Sequence, residues 1–176
     1  MDVLVSLVLL IALLVGIVLV IASRRPRSFS AARSLRIAAP RKRLHALIDD
    51  LRSMNTWNPY ALRDSGGRIH YSGPENGPGA MFEFGGSKSG SGSLRILESE
   101  PSRVTMRLQM TKPIAADNHV EFTLFPDGNA TIVTWSMSAS QSFLARVMSV
   151  FINCEKMVTR DFDEGLHNLK VIAEKS

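Results

Sequence analysis

The best local acid–base pair in this sequence is formed by His119 and Glu121. Two residues apart on a strand, they share one face of a sheet, where an imidazole and a carboxylate can transfer protons to and from a substrate. However, Val120, Phe122 and Leu124 alternate with them, and these apolar side chains occupy the buried face. The pair is therefore predicted to lie on the solvated side of a sheet, which argues against a catalytic role.

Three further patterns suggest chemistry, and each has a structural explanation. Asp163 and His167 are four residues apart on a helix and can meet on its surface, where such pairs are ordinary. Cys154 is the single cysteine, which excludes an internal disulfide, and we expect it to pack as a small hydrophobe. The run Gly85–Ser93 has the composition of a phosphate loop but leads into a strand, so we interpret it as a flexible hairpin connection. The sequence predicts no catalytic residue, no metal site and no cofactor, and an enzyme is the less favoured interpretation.

The element around which the chain is organised is its last helix, from Cys154 to Glu174. Its apolar residues recur with the period of a helix that buries one face, and they are Val158, Phe162, Leu166, Leu169 and Ile172. The only surface of matching size is the strand-like region between Gly67 and Met137, where tight turns join consecutive strands into an antiparallel sheet. The pattern predicts an α+β domain in which a curved antiparallel sheet wraps around the long C-terminal helix.

The remaining elements follow from alternation and turn signals. A first strand is predicted at Ala32–Ile37, a helix after Pro40, and a turn or short second helix at Arg52–Tyr60. The predicted strands of the sheet are Arg68–Tyr71, Ala80–Phe84, Leu94–Glu98, Val104–Met110, Val120–Leu124 and Thr131–Met137.

The N-terminal leader is a predicted membrane anchor. Val3–Ala22 is apolar except for Ser6 and is about 30 Å long as a helix, enough to span a bilayer once. Arginines follow this run and an acid precedes it, so the positive-inside rule places the N-terminus outside and the globular part in the cytoplasm. The chain thus divides into a transmembrane anchor (1–23), a basic juxtamembrane linker (24–31) and a globular domain (32–176), and we predict a single-pass protein of the cell membrane.

The net charge of +5 belongs to the flank of the leader. Eight basic residues and no acid lie between Ser23 and Ile48, while the rest of the globular part is slightly acidic. This distribution favours contact with anionic lipid headgroups and does not support a nucleic-acid partner. No oligomeric state is predicted.

The segment Phe143–Ile152 is unusually apolar, and its apolar residues cover more than one helical face. Two interpretations remain open: the segment is buried on several sides, or it lines a cavity mouth and faces the membrane surface.

Large apolar residues with inward-facing positions form the candidate ligand-binding set. They are Trp57, Tyr60, Phe82, Phe84, Met106, Leu108, Phe122, Trp135 and Phe162. Side chains of this kind on the concave side of a sheet either fill a core or line a pocket with a few polar tips, and both alternatives stay open.

Several motifs together resemble the START-like (SRPBCC) superfamily, in its polyketide cyclase/dehydrase and lipid-transport branch. The matching segments are Ile37–Pro40, Asp49 and Asp50 followed by Trp57–Pro59, Gly77–Gly79, Gly128–Trp135 and Asp163–Lys170. The resemblance covers about residues 30–176 and implies a helix-grip fold with a deep apolar cavity between the sheet and the last helix. In relatives such a cavity takes lipids, sterols, polyketides or plant hormones.

These observations support three hypotheses. The first is membrane-tethered binding, with a transport or sensing role, of a hydrophobic small molecule such as a lipid or isoprenoid. The second is an enzyme of the cyclase/dehydrase type acting on a hydrophobic substrate. The third is a non-catalytic interaction module that works through the basic juxtamembrane stretch.

Overall fold

The structure, a computed structural model, describes residues 2–64, 66–87 and 90–175. In chain order its elements are α1 (Asp2–Arg24), β1 (Ser28–Ile37), α2 (Arg41–Asp49), α3 (Leu51–Met54), α4 (Pro59–Arg63), β2 (Arg68–Ser72), β3 (Met81–Gly86), β4 (Gly90–Glu100), β5 (Arg103–Lys112), β6 (Ala116–Asp127), β7 (Ala130–Ser140), α5 (Phe143–Phe151) and α6 (Cys154–Glu174). The strands form one antiparallel sheet in the order β1-β7-β6-β5-β4-β3-β2. The predicted α+β architecture, a curved sheet with a long C-terminal helix, is confirmed.

The core lies between the concave face of the sheet and α6. On α6 the predicted stripe is buried from Val158 to Leu169, while Asp163 and His167 point to solvent. On β6 the predicted alternation holds, because Val120 is buried and His119 is exposed. The helix therefore fills the groove of the sheet with its apolar face, as its spacing predicts.

The first strand is longer than predicted. β1 begins at Ser28, four residues before the expected start at Ala32, and pairs with β7 along its whole length. Phe29 is half-buried and packs against the core, so this polar-looking stretch belongs to the sheet. Consequently only residues 25–27 separate α1 from the sheet.

The interpretation of Gly85–Ser93 as a flexible hairpin connection is wrong for most of its length. β3 continues to Gly86 and β4 begins at Gly90, and these two glycines face each other across the ladder. Lys88 and Ser89 lie outside the described residues. The glycines lack the side-chain alternation by which a strand is recognised, although their backbone pairs normally.

α1 is long and apolar enough to cross a membrane, with a mean hydropathy of 3.4 over an 18-residue window. A signal sequence near the N-terminus passes the same test of length and hydropathy. The side chains of α1 are exposed along most of its length, and Ala22 near its end is buried.

The exposure of α5 excludes one of the two interpretations of Phe143–Ile152, namely burial on several sides. None of the nine residues of α5, all within the described ranges, is buried. Burial on several sides is therefore wrong, and the physical reason is that α5 packs against α1 instead of entering the core.

Candidate ligand-binding site

The centre of the domain is a cluster of four aromatic side chains drawn from the sheet, from α6 and from the segment between α3 and α4. Trp135 of β7 stacks on Phe162 of α6 with ring centroids 4.2 Å apart. Trp57 meets Trp135 and Phe122 edge-on, at 5.9 and 6.0 Å. All four are at most 5% exposed, so this aromatic cluster lies between the two walls of the helix-grip arrangement.

The two tryptophans of the cluster differ in their hydrogen bonding. Trp57 Nε1 donates to the Leu47 carbonyl oxygen at 2.9 Å, in the last turn of α2, where carbonyl groups lack intrahelical donors. Trp135 Nε1 is buried and meets no acceptor among the described residues. A buried donor without an acceptor costs about 1–3 kcal/mol, so the Trp135 indole is the polar feature of the cluster that a bound molecule would satisfy.

Gly165 sets how closely α6 approaches Trp135. A Cβ at this position would lie 2.6 Å from Trp135 Cζ3 and 3.0 Å from Pro59 Cδ. Both distances are below ordinary carbon–carbon contact, which begins near 3.5 Å. Glycine is therefore required here for the indole to lie flat between the helix and the sheet.

A second group of apolar side chains lies toward β3, β4 and β5. The strand register places Phe82, Leu94 and Leu108 in one row across these strands. Phe84 lies 5.9 Å from Phe82 between ring centroids, and both are at least partly buried. Of the nine predicted residues, four form the aromatic cluster, while Phe82, Phe84 and Leu108 belong to this second group. Met106 is fully buried in the same core, and Tyr60 packs against it.

Tyr60 belongs to a polar clamp that the sequence did not reveal. Burial raises the pKa of the Tyr60 hydroxyl, and the charge of the Asp161 carboxylate together with a hydrogen bond to it raises that pKa further. Asp161 is only 3% exposed and pairs with Arg63 at 2.8 Å, and Arg63 also pairs with Glu164. The clamp, defined as Tyr60, Arg63, Asp161 and Glu164, fastens α4 to α6 beside the aromatic cluster. The sequence feature that could have indicated the clamp is the carboxylate of Asp161, which lies three residues after Val158 at the edge of the apolar stripe.

The predicted acid–base pairs are not brought into the core. His119 is exposed on the outer face of the sheet, and Glu121 lies 3.7 Å from Arg103 there. His45 Nε2 shares a hydrogen bond of 3.0 Å with the Ser99 hydroxyl. Within the described ranges no group of His, Cys, Asp and Glu side chains is suited to hold a metal ion.

Two hollows open on the surface around α2 and α3, outside the aromatic cluster. One, of about 100 Å³, is lined by Arg52, Tyr71 and the turn that follows β2, and the Arg52 guanidinium lies 4.2 Å above the Tyr71 ring. The other, of about 490 Å³, is an open groove along α2 bounded by Asp49 and Asn76. Neither is lined by the aromatic cluster, whose rings are in mutual contact in this structure.

The comparisons with known proteins agree with this geometry. The family model described as polyketide cyclase/dehydrase and lipid transport matches residues 28–174. None of the curated proteins matches the chain by sequence.

Solved structures show the same fold. The protein CV1439 from Chromobacterium violaceum is 16% identical, with a TM-score of 0.60 over 86% of this chain and all of its own. MLL2253 from Mesorhizobium loti is 13% identical, with a TM-score of 0.62 over 84% of this chain and 98% of its own. DynU16, a protein in the dynemicin biosynthetic locus, is 16% identical, with a TM-score of 0.59 over 83% of this chain and 47% of its own. At these identities the likeness concerns the fold alone.

Proposed function

This chain belongs to the polyketide cyclase/dehydrase and lipid transport family, and from that premise we propose that it binds a hydrophobic small molecule between the sheet and α6. The ligand class is a lipid or isoprenoid-like molecule that carries one hydrogen-bond acceptor. The ligand lies against the aromatic cluster and the second group of apolar side chains toward β3, β4 and β5, which together contain seven of the nine side chains predicted from the sequence; the other two are Tyr60 and Met106.

The observation that carries this proposal is the buried Trp135 Nε1, which has no acceptor among the described residues. In a filled core such a donor only lowers the stability, since phenylalanine would fill similar space without the desolvation cost. In a binding site the donor has a use, because one polar group in an apolar pocket orients the ligand. Trp135 is therefore assigned the role of polar anchor, and Phe162, which stacks on it, is the side chain that must move aside when the ligand enters.

The proposal includes a membrane tether. α1 spans the cell membrane once, with its N-terminus outside and the domain in the cytoplasm, because Arg24, Arg25 and Arg27 follow the apolar run. A domain held within a few residues of the bilayer exchanges its hydrophobic ligand with that bilayer rather than carrying it through water. Its role is the binding of this ligand for local transfer or sensing.

The test is photo-cross-linking of the full chain in phosphatidylcholine nanodiscs with a palmitic acid analogue that carries a diazirine and an alkyne. The expected result is labelled peptides from β7 and α6, with loss of that labelling in Trp135→Phe. Phe125→Leu is the matched control, because Phe125 is an aromatic residue that is 69% exposed on the sheet. Label that is confined to α1 and α5 would contradict binding between the sheet and α6.

A further inference from the structure

The outer face of α5 carries a stripe of exposed apolar side chains. Leu144, Met148 and Phe151 are 59%, 36% and 70% exposed, and their spacing of four and three residues places them on one side of the helix. Ile152 continues the stripe just after the helix and is 44% exposed. Contiguous exposed apolar side chains of this kind mark a surface that contacts a membrane or a partner. We call Leu144, Met148 and Phe151 the α5 stripe.

A basic side chain fixes α5 to the end of α1. Arg146 Nη1 donates to the carbonyl oxygens of Ala22 and Ser23, at 3.5 and 3.4 Å. These carbonyls belong to the last turn of α1, where a cation interacts favourably with the helix dipole. That of Ala22 also accepts a hydrogen bond from the Arg25 N–H at 3.3 Å. Ala22 is fully buried, although it lies at the end of an otherwise exposed helix. α5 is thus held at the level of the last turn of α1.

That level is the boundary between hydrocarbon and headgroups if α1 spans the bilayer. The apolar run ends at Ala22, and the arginines that start at Arg24 belong among the headgroups. The α5 stripe is about 10 Å long, measured along the helix axis. Interfacial helices with an apolar face of this kind bury that face to a depth of about 5–10 Å at the same boundary.

We propose that α5 lies in the surface of the bilayer that α1 crosses, with the α5 stripe among the acyl chains. This inference rests on the proposed function, since it requires α1 to be a membrane span. The occupant of the stripe is lipid rather than a protein, because the side chains of α1 next to α5 already require hydrocarbon around them. The end of the sheet next to α1 is therefore seated on the membrane.

This position bears on where the ligand comes from. α5 is the connection between β7, which carries Trp135, and α6, which carries Phe162. Ser140, at the end of β7, is five residues after Trp135, a distance of about 17 Å along the strand. The connection between the two walls of the aromatic cluster thus lies in lipid, and the bilayer is the source of the hydrophobic ligand.

The experiment places an environment-sensitive NBD fluorophore on single cysteines of the full chain in a Cys154→Ser background. Phe151→Cys reports on the α5 stripe and Ala12→Cys reports on the middle of α1. Phe125→Cys is the matched control, since Phe125 is 69% exposed against 70% for Phe151 but lies at the end of β6 far from α1. The labelled chains are reconstituted in nanodiscs of phosphatidylcholine and phosphatidylglycerol, with and without doxyl-labelled acyl chains.

We expect blue-shifted emission and doxyl quenching at position 151 as well as at position 12, and neither at position 125. Quenching at 12 with a water-like, unquenched probe at 151 overturns the inference and leaves the membrane tether standing. A blue-shifted but unquenched probe at 151 also overturns it, because a second copy of the chain then covers the stripe. Absence of quenching at position 12 refutes the proposed membrane span of α1. The proposed position of α5 in the bilayer surface is then refuted as well.

Discussion

Replacing each tryptophan by phenylalanine tests whether the Trp135 indole lacks an acceptor in the protein. The chain has two tryptophans, both buried in the aromatic cluster, so each serves as the control for the other. Either replacement removes two buried carbons together with Nε1, and the lost carbon burial costs about 2 kcal/mol in the free energy of unfolding. The difference between the two variants lies in the fate of Nε1.

In Trp57→Phe the hydrogen bond from Nε1 to the Leu47 carbonyl oxygen is lost as well. The net value of such a bond is about 1 kcal/mol, so the free energy of unfolding falls by about 3 kcal/mol. In Trp135→Phe a buried donor without a described acceptor disappears. Its removal returns about 1–3 kcal/mol, which offsets the loss of ring area and leaves a net change within about 1 kcal/mol of zero.

The measurement is urea unfolding of the full chain in detergent micelles, followed by the fluorescence of the remaining tryptophan. The expected gap between the variants is about 2–4 kcal/mol, with unchanged slopes against urea concentration. If Trp135→Phe loses as much stability as Trp57→Phe, the Trp135 donor is satisfied within the folded chain. The argument for Trp135 as the polar anchor of a ligand would then fail.

Two further predictions concern α6 and the polar clamp. Gly165→Ala places a Cβ 2.6 Å from Trp135 Cζ3, so we expect a cost of about 1–3 kcal/mol from overpacking, partly offset by about 1 kcal/mol of helix propensity, in the same urea assay. A gain in stability would show that the indole moves freely. Because burial and Asp161 raise the pKa of Tyr60, its stabilising effect is complete below the ordinary tyrosine pKa of about 10 and is lost as pH rises above it. The free energy of unfolding should fall by up to about 1.4 kcal/mol per pH unit in that range, and Tyr60→Phe should make the fall shallower; an unchanged slope would contradict the assignment.

The fold was predictable from the sequence because its main elements repeat their apolar residues with a fixed period. α6 and β6 bury one face and expose the other, so Phe162 and Phe122 could be assigned to the core from spacing alone. Composition could not show whether these side chains touch each other. The stack of Trp135 on Phe162 depends on the absence of a Cβ at Gly165, a fact of three-dimensional approach rather than of pattern.

The glycine-rich strands escaped prediction for a related reason. A Cβ on Gly92 would lie 2.2 Å from the Gln109 carbonyl oxygen on the neighbouring strand. Glycine is therefore selected here by a close approach of two backbones, which is one of its roles inside a strand. The sequence shows only a run without alternation, and such a run is equally typical of a loop.

The environment of α5 could not be predicted from its composition, because a protein core and a bilayer are both apolar. The apolar residues of Phe143–Ile152 suit either, and the helix period does not say which side a neighbour covers. Arg146 is the informative residue, since a charge within an apolar segment requires a polar partner, and its partners are the carbonyl oxygens at the end of α1. That contact fixes the position of this hydrophobic segment relative to the end of α1. The proposed depth of Phe151 in the bilayer follows from this position and can be measured.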